Sequence, residues 1–289
     1  IESIGVGIDF KDGDLALRGN FSTLDENGNI IDRRAGRHIE RDDAEQISKE
    51  IEERIKFSNP NASVIVAPTI GHRVVIRIRD EQTLSSQISN TDPAYSRVDG
   101  MGVAKDVGSS LQIEKCVPLD ETDSSKNTAK LVNEFTEQSL SIMKESTVNQ
   151  RRSEKNQKLL NSILVRDAGN KYPIAKPIND LYSMNFSCIV DMPVEIGISN
   201  VLKMKSYEAG GLTDYEEKAK VAAGSMKEQN AIYVHLKGPD EFGHDGDAIG
   251  KMKNIEEIDK RFFGTLISNI DSSKVAVMIC ADHSTPCIK

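Results

Sequence analysis

At 289 residues, with 28% charged and 38% hydrophobic side chains, the chain has an ordinary globular composition and enough length for two domains. Lys and Arg total 37 against 45 Asp and Glu, a formal net charge of −8. That excludes the broad electropositive surface of a general nucleic-acid binder, so an anionic ligand must be held locally. No run approaches the roughly eighteen apolar residues of a membrane span, and no membrane partner is expected.

In chain order, the opening segment IESIGVGIDF is rich in strand formers, and residues 1–12 read as a core edge or linker. LALRGNFSTL, the turn DENGN and IIDRRAGRHI form a hairpin signalled by Asn-Gly between β-prone runs. A helix follows, with Asp42 and Asp43 offering N-cap chemistry and Ala44, Ile47, Ile51 and Ile55 at helical spacing. ASVIVAPTI and GHRVVIRIRD are strands, the second alternating apolar and basic residues from Val75 to Arg79 like a half-buried strand. Residues 85–125 lack periodicity, which suits a functional or mobile loop. Residues 126–158 read as a helix with Ala129, Val132, Phe135 and Met143 on one face.

The pattern then changes. NSILVRDAG, FSCIVDMP, AIYVHLKG and KVAVMICAD are short apolar runs, and helical segments such as YEEKAKVAAGSM and IGKMKNIEEIDKRFFGTLI separate some of them. Apolar strands alternating with helices predict a parallel sheet covered on both faces. The expected organisation is an edge or linker over 1–12, an α+β domain over 13–155 and an α/β domain over 156–289. The cysteines Cys116, Cys188, Cys280 and Cys287 are too few for a disulfide scaffold and read as free thiols, with Cys280 a buried small hydrophobe and Cys287 a loop residue.

Ligands of an open α/β sheet bind beyond the carboxyl ends of its strands. Asp240 and His244 follow the strand predicted over 231–236, at a spacing that puts them on one side of a helical turn or tight loop. Asp282 and His283 follow the strand predicted over 274–280. Carboxylate oxygen with imidazole nitrogen suits Mn²⁺, Zn²⁺, Co²⁺ or Fe, and two such pairs point to a two-metal site. Gly238, Gly243 and Gly246 let the backbone fold tightly there. Either pair alone is more often a cap or a salt-bridged surface group. His235 reads as a packed core histidine, and Lys237 as a cation for a substrate phosphate or carboxylate, or else a surface lysine.

The phrases LALRGNFSTLDENGNIIDRRAGR, ILVRDAG, GGLTDYEEKAK, KGPDEFGHDGD, IEEID and ADHSTPC are spread over almost the whole chain. Together they resemble the archaeal-type cofactor-independent phosphoglycerate mutases of the alkaline phosphatase superfamily. The resemblance implies an α/β fold: an alkaline-phosphatase-like core with a parallel-rich sheet, interrupted by an inserted α+β domain. It implies a cytoplasmic glycolytic and gluconeogenic isomerase that interconverts 3-phosphoglycerate and 2-phosphoglycerate through a phosphoserine. It needs no 2,3-bisphosphoglycerate but uses two divalent metal ions, Mn²⁺ first, with Zn²⁺, Co²⁺ or Mg²⁺ as alternatives. Asp240 and His244 would help hold one ion, and Asp282 and His283 the other. Arginines and an aspartate of the inserted domain would grip the glycerate, with Asp32 and Arg33 first, then Arg18, Arg34 and Arg37, then His72, Arg73 and Arg166. The guanidinium fork matches both phosphate and carboxylate, while exposed hairpin charges are the plainer alternative for each arginine.

The family's first-strand aspartate ligand and nucleophilic serine would precede Ile1, and a further histidine ligand would follow Lys289. On that reading residues 1–289 alone bind metal weakly and lack mutase turnover. The competing expectations are another metal-dependent phosphatase or phosphomutase of the superfamily, against which DRRAGR argues, and a non-catalytic phosphoglycerate-binding fragment.

Overall fold

The computed structural model describes residues 1–98, 101–105, 111–281 and 283–288. Two compact units divide the chain between Pro173 and Ile174, so the boundary falls later than the expected one near residue 155.

The first unit begins with a short helix, α1 (Glu2–Gly5), where the sequence is rich in strand formers. An antiparallel sheet follows: β1 (Leu15–Leu24), β2 (Ile30–Asp32), β3 (Ser63–Pro68), β4 (Arg73–Arg79) and, much later in the chain, a strand at Ser162–Gly169. The expected hairpin forms because Gly28 takes φ +81 and Asp25 accepts hydrogen bonds from the Asn27 and Asn29 backbone amides. β1 pairs antiparallel with β2, with β4 and with the Ser162–Gly169 strand, while β3 flanks β4. SILVRDAG therefore belongs to this antiparallel sheet and not to the parallel one. Its register sets Arg18 opposite Arg166, which keeps the strand in the first unit.

The helix α2 (Arg41–Arg54) starts one residue earlier than its expected caps, with Glu40 at the N-cap. Asp42 and Asp43 instead sit in the first turn, where negative charge suits the helix dipole. Ala44, Ile47 and Ile51 are buried as the spacing predicts, and Ile55 is buried just beyond the helix. The long loop contains a small hairpin, β5 (Tyr95–Val98) and β6 (Met101–Ala104). The helix expected over 126–158 is two helices, α3 (Asp123–Glu145) and α4 (Thr147–Glu154). Ser146 breaks it by turning extended and accepting the Val148 amide on its hydroxyl. Ala129, Val132, Phe135 and Met143 join the core formed by Leu15, Leu17, Phe21, Ile76 and Ile163 from one face of the sheet. Gly19 lies on that face because a Cβ there would stand 2.6 Å from Ile76 Cδ1. With the Ser162–Gly169 strand as β7, the first unit is an α+β layer with α2, α3 and α4 on one sheet face.

The second unit is built from α5 (Ile178–Tyr182), β8 (Phe186–Ile189), α6 (Pro193–Leu202), β9 (Lys205–Ser206), α7 (Tyr215–Ser225) and β10 (Ala231–Val234). Then come α8 (Pro239–His244), α9 (Ala248–Glu257), a π-helical segment (Ile258–Phe263) and α10 (Gly264–Asn269). The sheet is parallel, in the order β10-β8-β9. Its core joins Ile189, Tyr215, Ala219, Ala222, Phe262 and Leu266. KVAVMICAD forms no strand among the described residues, and Val277, Met278 and Ile279 are exposed. An apolar run expresses a demand for burial, but a strand exists only where a neighbour meets its backbone groups. Cys280 is accordingly exposed and not buried, whereas Cys116 and Cys188 are buried free thiols.

Candidate functional site

On β4 the side chains of Arg73, Val75, Arg77 and Arg79 alternate with the core residues Val74, Ile76 and Ile78. The register sets Asn20 opposite Arg73, Arg18 opposite Val75 and Arg166 opposite Arg18, so Arg18, Arg73 and Arg166 share the sheet face away from the core. Arg77 lies on that face too but is buried, so the expected half-buried alternation holds only in part; α1 packs against β4. The Arg18 guanidinium stands 3.5 Å from the Glu2 carboxylate.

The turn after β2 adds to this face. The Asp32 carboxylate accepts hydrogen bonds from the Arg34 amide at 2.8 Å and the Gly36 amide at 3.0 Å. Those bonds fold a tight turn in which Ala35, Gly36 and Arg37 all have positive φ. Burial first, then the charges of Arg73, Arg34 and Arg37, lowers His72 to about 4. Burial first, together with the charges of Arg18, Arg166 and Arg34, also lowers Arg73, although Glu2 works the other way. Arg34, Arg37 and Arg73 thus act on His72, and Arg18, Arg34 and Arg166 on Arg73, a gathering of cations that an incoming anion would relieve.

Arg33, expected with Asp32 to lead ligand binding, is paired with a buried carboxylate. Its Nη2 donates to both carboxylate oxygens of the fully buried Asp92, at 2.9 and 2.7 Å. Tyr95 lies beneath the guanidiniums of both Arg33 and Arg166. Arg166 also donates to Asp167 at 2.6 Å. Asp32 and Arg33 thus shape the turn and anchor it.

In the second unit, α8 begins with Pro239 at its first turn after Gly238. Helical spacing sets His244 Nε2 3.6 Å from Asp240 Oδ2, and His283 Nδ1 lies 4.0 Å from Asp240 Oδ1. Asp282 lies outside the described residues, and so does any geometry of the second expected pair. Among the described residues no three His, Cys, Asp or Glu side chains close around one point at metal-holding distances. By type alone, a carboxylate facing one imidazole on each oxygen offers donors that suit a divalent ion of intermediate softness. Glycine is required between the loops, since a Cβ at Gly243 would stand 2.4 Å from the Thr285 carbonyl oxygen.

Lys237 and His235 both turn to a partner that sequence reasoning missed. Glu195 Oε1 lies 2.6 Å from Lys237 Nζ and 2.6 Å from His235 Nδ1. Burial opposes the charge of Glu195, but the His235 and Lys237 contacts outweigh it and hold the carboxyl at about 2. His235 lies just past β10 and is partly exposed, not packed in the core.

The PhosphMutase model of 2,3-bisphosphoglycerate-independent phosphoglycerate mutase matches residues 1–149, and that of the Metalloenzyme superfamily matches residues 174–289. A 2,3-bisphosphoglycerate-independent phosphoglycerate mutase of Aeropyrum pernix is 35% identical over 99% of this chain and 69% of its own length. The chain belongs to the 2,3-bisphosphoglycerate-independent phosphoglycerate mutase family. A second mutase so named, from Methanopyrus kandleri, is 32% identical over 99% of this chain and 65% of its own length. A solved cofactor-independent phosphoglycerate mutase from Thermoplasma acidophilum is 26% identical with a TM-score of 0.54, covering 91% of this chain and 63% of that one. The chain thus spans about two thirds of the length of these phosphoglycerate mutases. The Metalloenzyme match begins at residue 174, where the second compact unit begins, whereas the PhosphMutase match ends at residue 149, inside the first.

Within this mutase-family chain, Asp92, Tyr95, Glu195 and Thr285 escaped sequence reasoning. The first two lie in the loop without periodicity, where only the Asp-Pro step at 92–93 signals a built turn. Glu195 stands in the first turn of α6 with no motif around it.

Proposed function

We propose that this chain carries the substrate-gripping and metal-holding machinery of a phosphoglycerate mutase that interconverts 3-phosphoglycerate and 2-phosphoglycerate. The observation that carries the reading is the gathering of Arg18, Arg34 and Arg166 about Arg73, with Arg37 and the neutral ring of His72 beside them. A three-carbon acid with a phosphate and a carboxylate presents two anionic groups to match it. Arg18, Arg73 and Arg166 come from adjacent strands, so their spacing is fixed by sheet register and they hold the ligand without a large ordering cost. Asp32 supports the grip by holding the turn that presents Arg34 and Arg37.

Asp240 and His244 would help hold one divalent ion, Mn²⁺ by donor preference, and Asp282 with His283 a second. Bound ions of this kind lower the pKa of a hydroxyl nucleophile and neutralise charge on a transferring phosphoryl group. The contact of Lys237 with Glu195 makes it a support of the loop entering α8 rather than a direct phosphate ligand.

Calorimetry of the chain with 3-phosphoglycerate, with and without Mn²⁺, tests the reading. Arg73→Met and Arg166→Met should each weaken 3-phosphoglycerate binding by about 10-fold or more, the loss of roughly one charge-assisted pair. Equal affinity for phenyl phosphate and 3-phosphoglycerate would instead favour a general phosphatase of the same superfamily.

A further inference from the structure

The turn carrying His283 is fastened to α8 through one residue outside the donor set. The Thr285 hydroxyl donates to Asp240 Oδ1 at 2.5 Å and lies 3.1 Å from His283 Nδ1. On the other side of the same residue, Lys251 Nζ donates to the Thr285 carbonyl at 2.6 Å from its place on α9. The Thr285 backbone approaches α8 so closely that only a glycine fits at 243. Thr285 thus meets the carboxylate through its side chain and the following helix through its backbone. The turn bearing His283 and the helix bearing Asp240 and His244 are joined there.

From this we infer that Thr285 is a positioning residue that orients the Asp240 carboxylate for cation binding, with Lys251 fixing the Thr285 backbone that aims the hydroxyl. A hydroxyl on Oδ1 selects one rotamer of Asp240, which leaves Oδ2 on the His244 side. Without it, a half-exposed carboxylate samples several rotamers, and a cation must then order it at its own cost. Lys251 acts at one remove: its bond to the carbonyl sets where the Thr285 Cα stands, hence where the hydroxyl can reach.

The inference rests on the reading of Asp240, His244 and His283 as cation donors, and the test separates the two. Mn²⁺ alone is titrated into the purified chain and the free-ion electron paramagnetic resonance signal is followed, with far-ultraviolet circular dichroism as a check on folding. Thr285→Val should weaken Mn²⁺ binding about 10-fold to 100-fold, the range for residues that orient metal ligands. Thr285→Ser should stay within about threefold of the parent chain, since it restores the hydroxyl, and Lys251→Met should lie between the two. Asp240→Ala is the reference variant. If it abolishes binding while Thr285→Val binds like the parent, or if Thr285→Ser is as weak as Thr285→Val, the positioning role is wrong and the cation site stands. If Asp240→Ala also binds like the parent, the cation reading fails and the inference with it.

Discussion

Arg33 lays one guanidinium nitrogen across both oxygens of the Asp92 carboxylate, a group with no solvent exposure at all. Asp92 also accepts the Ala94 amide at 3.1 Å, and Arg166 stands 3.9 Å away. Removing Arg33 leaves a buried negative charge with a weaker partner. Arg33→Met should therefore destabilise the first unit by about 2–4 kcal/mol, measured by urea denaturation. Arg34 is exposed, so Arg34→Met should cost less than about 0.5 kcal/mol while still weakening 3-phosphoglycerate binding. Equal stability losses would mean that the two adjacent arginines do not divide the work as argued.

His72 gives the anion-binding face a pH signature. Its folded value, about 4, lies below the ordinary 6.5 because of burial and the surrounding guanidiniums. Above pH 6.5 the ring is neutral folded or unfolded. Between 6.5 and about 4 the unfolded chain takes up a proton that the folded chain refuses, so His72's contribution to stability is lost over that window as pH falls. Sulfate, which keeps its charge throughout, should raise the His72 midpoint by about one unit or more. Nuclear magnetic resonance titration of the ring with and without sulfate reads this directly; an unmoved midpoint would remove His72 from the anion site.

Glu195 has the opposite chemistry and the same direction of shift. Its carboxyl is held at about 2 against an ordinary 4.5, so the stability it contributes is complete above pH 4.5 and disappears as pH falls toward 2. Glu195→Gln should cost about 1–3 kcal/mol at neutral pH, and the difference from the parent chain should vanish near pH 2. Denaturation curves at pH 7, 5 and 3 follow the convergence.

The thiols should divide by burial. Cys116 and Cys188 are buried, and burial pushes Cys116 up to about 12 despite its contact with the Ser89 carbonyl. Cys280 is exposed and Cys287 partly so. A thiol reagent at neutral pH should label Cys280 and Cys287 in the native chain, and Cys116 and Cys188 only after unfolding. Native labelling of Cys116, read by peptide mass, would contradict this packing.

Local chemistry made the first unit legible: the Asn-Gly turn, the alternation on β4 and the apolar spacing of α2 each carry their period in adjacent residues. The strand SILVRDAG was visible as a strand, but its sheet was not, because an apolar run does not say which backbone it will pair with. The same ambiguity made KVAVMICAD read as a strand, though none forms there among the described residues. In the candidate site, Asp240 and His244 were readable together because one helical turn joins them. The ties of Arg33 to Asp92 and of Lys251 to Thr285 span 59 and 34 positions, and no local period records such separations.

The π-helical segment at Ile258–Phe263 has a separate consequence for this second unit. A wider turn inserted in a helix offsets everything beyond it by a fraction of a revolution, so Lys251 before it and Leu266 after it are phased independently. Removing one residue there would restore ordinary winding and swing Leu266 away from the packed interior it now fills. The helix thus behaves as a coupling with a built-in offset, allowing the end that grips the Thr285 turn to be retuned while the anchored end keeps its seat.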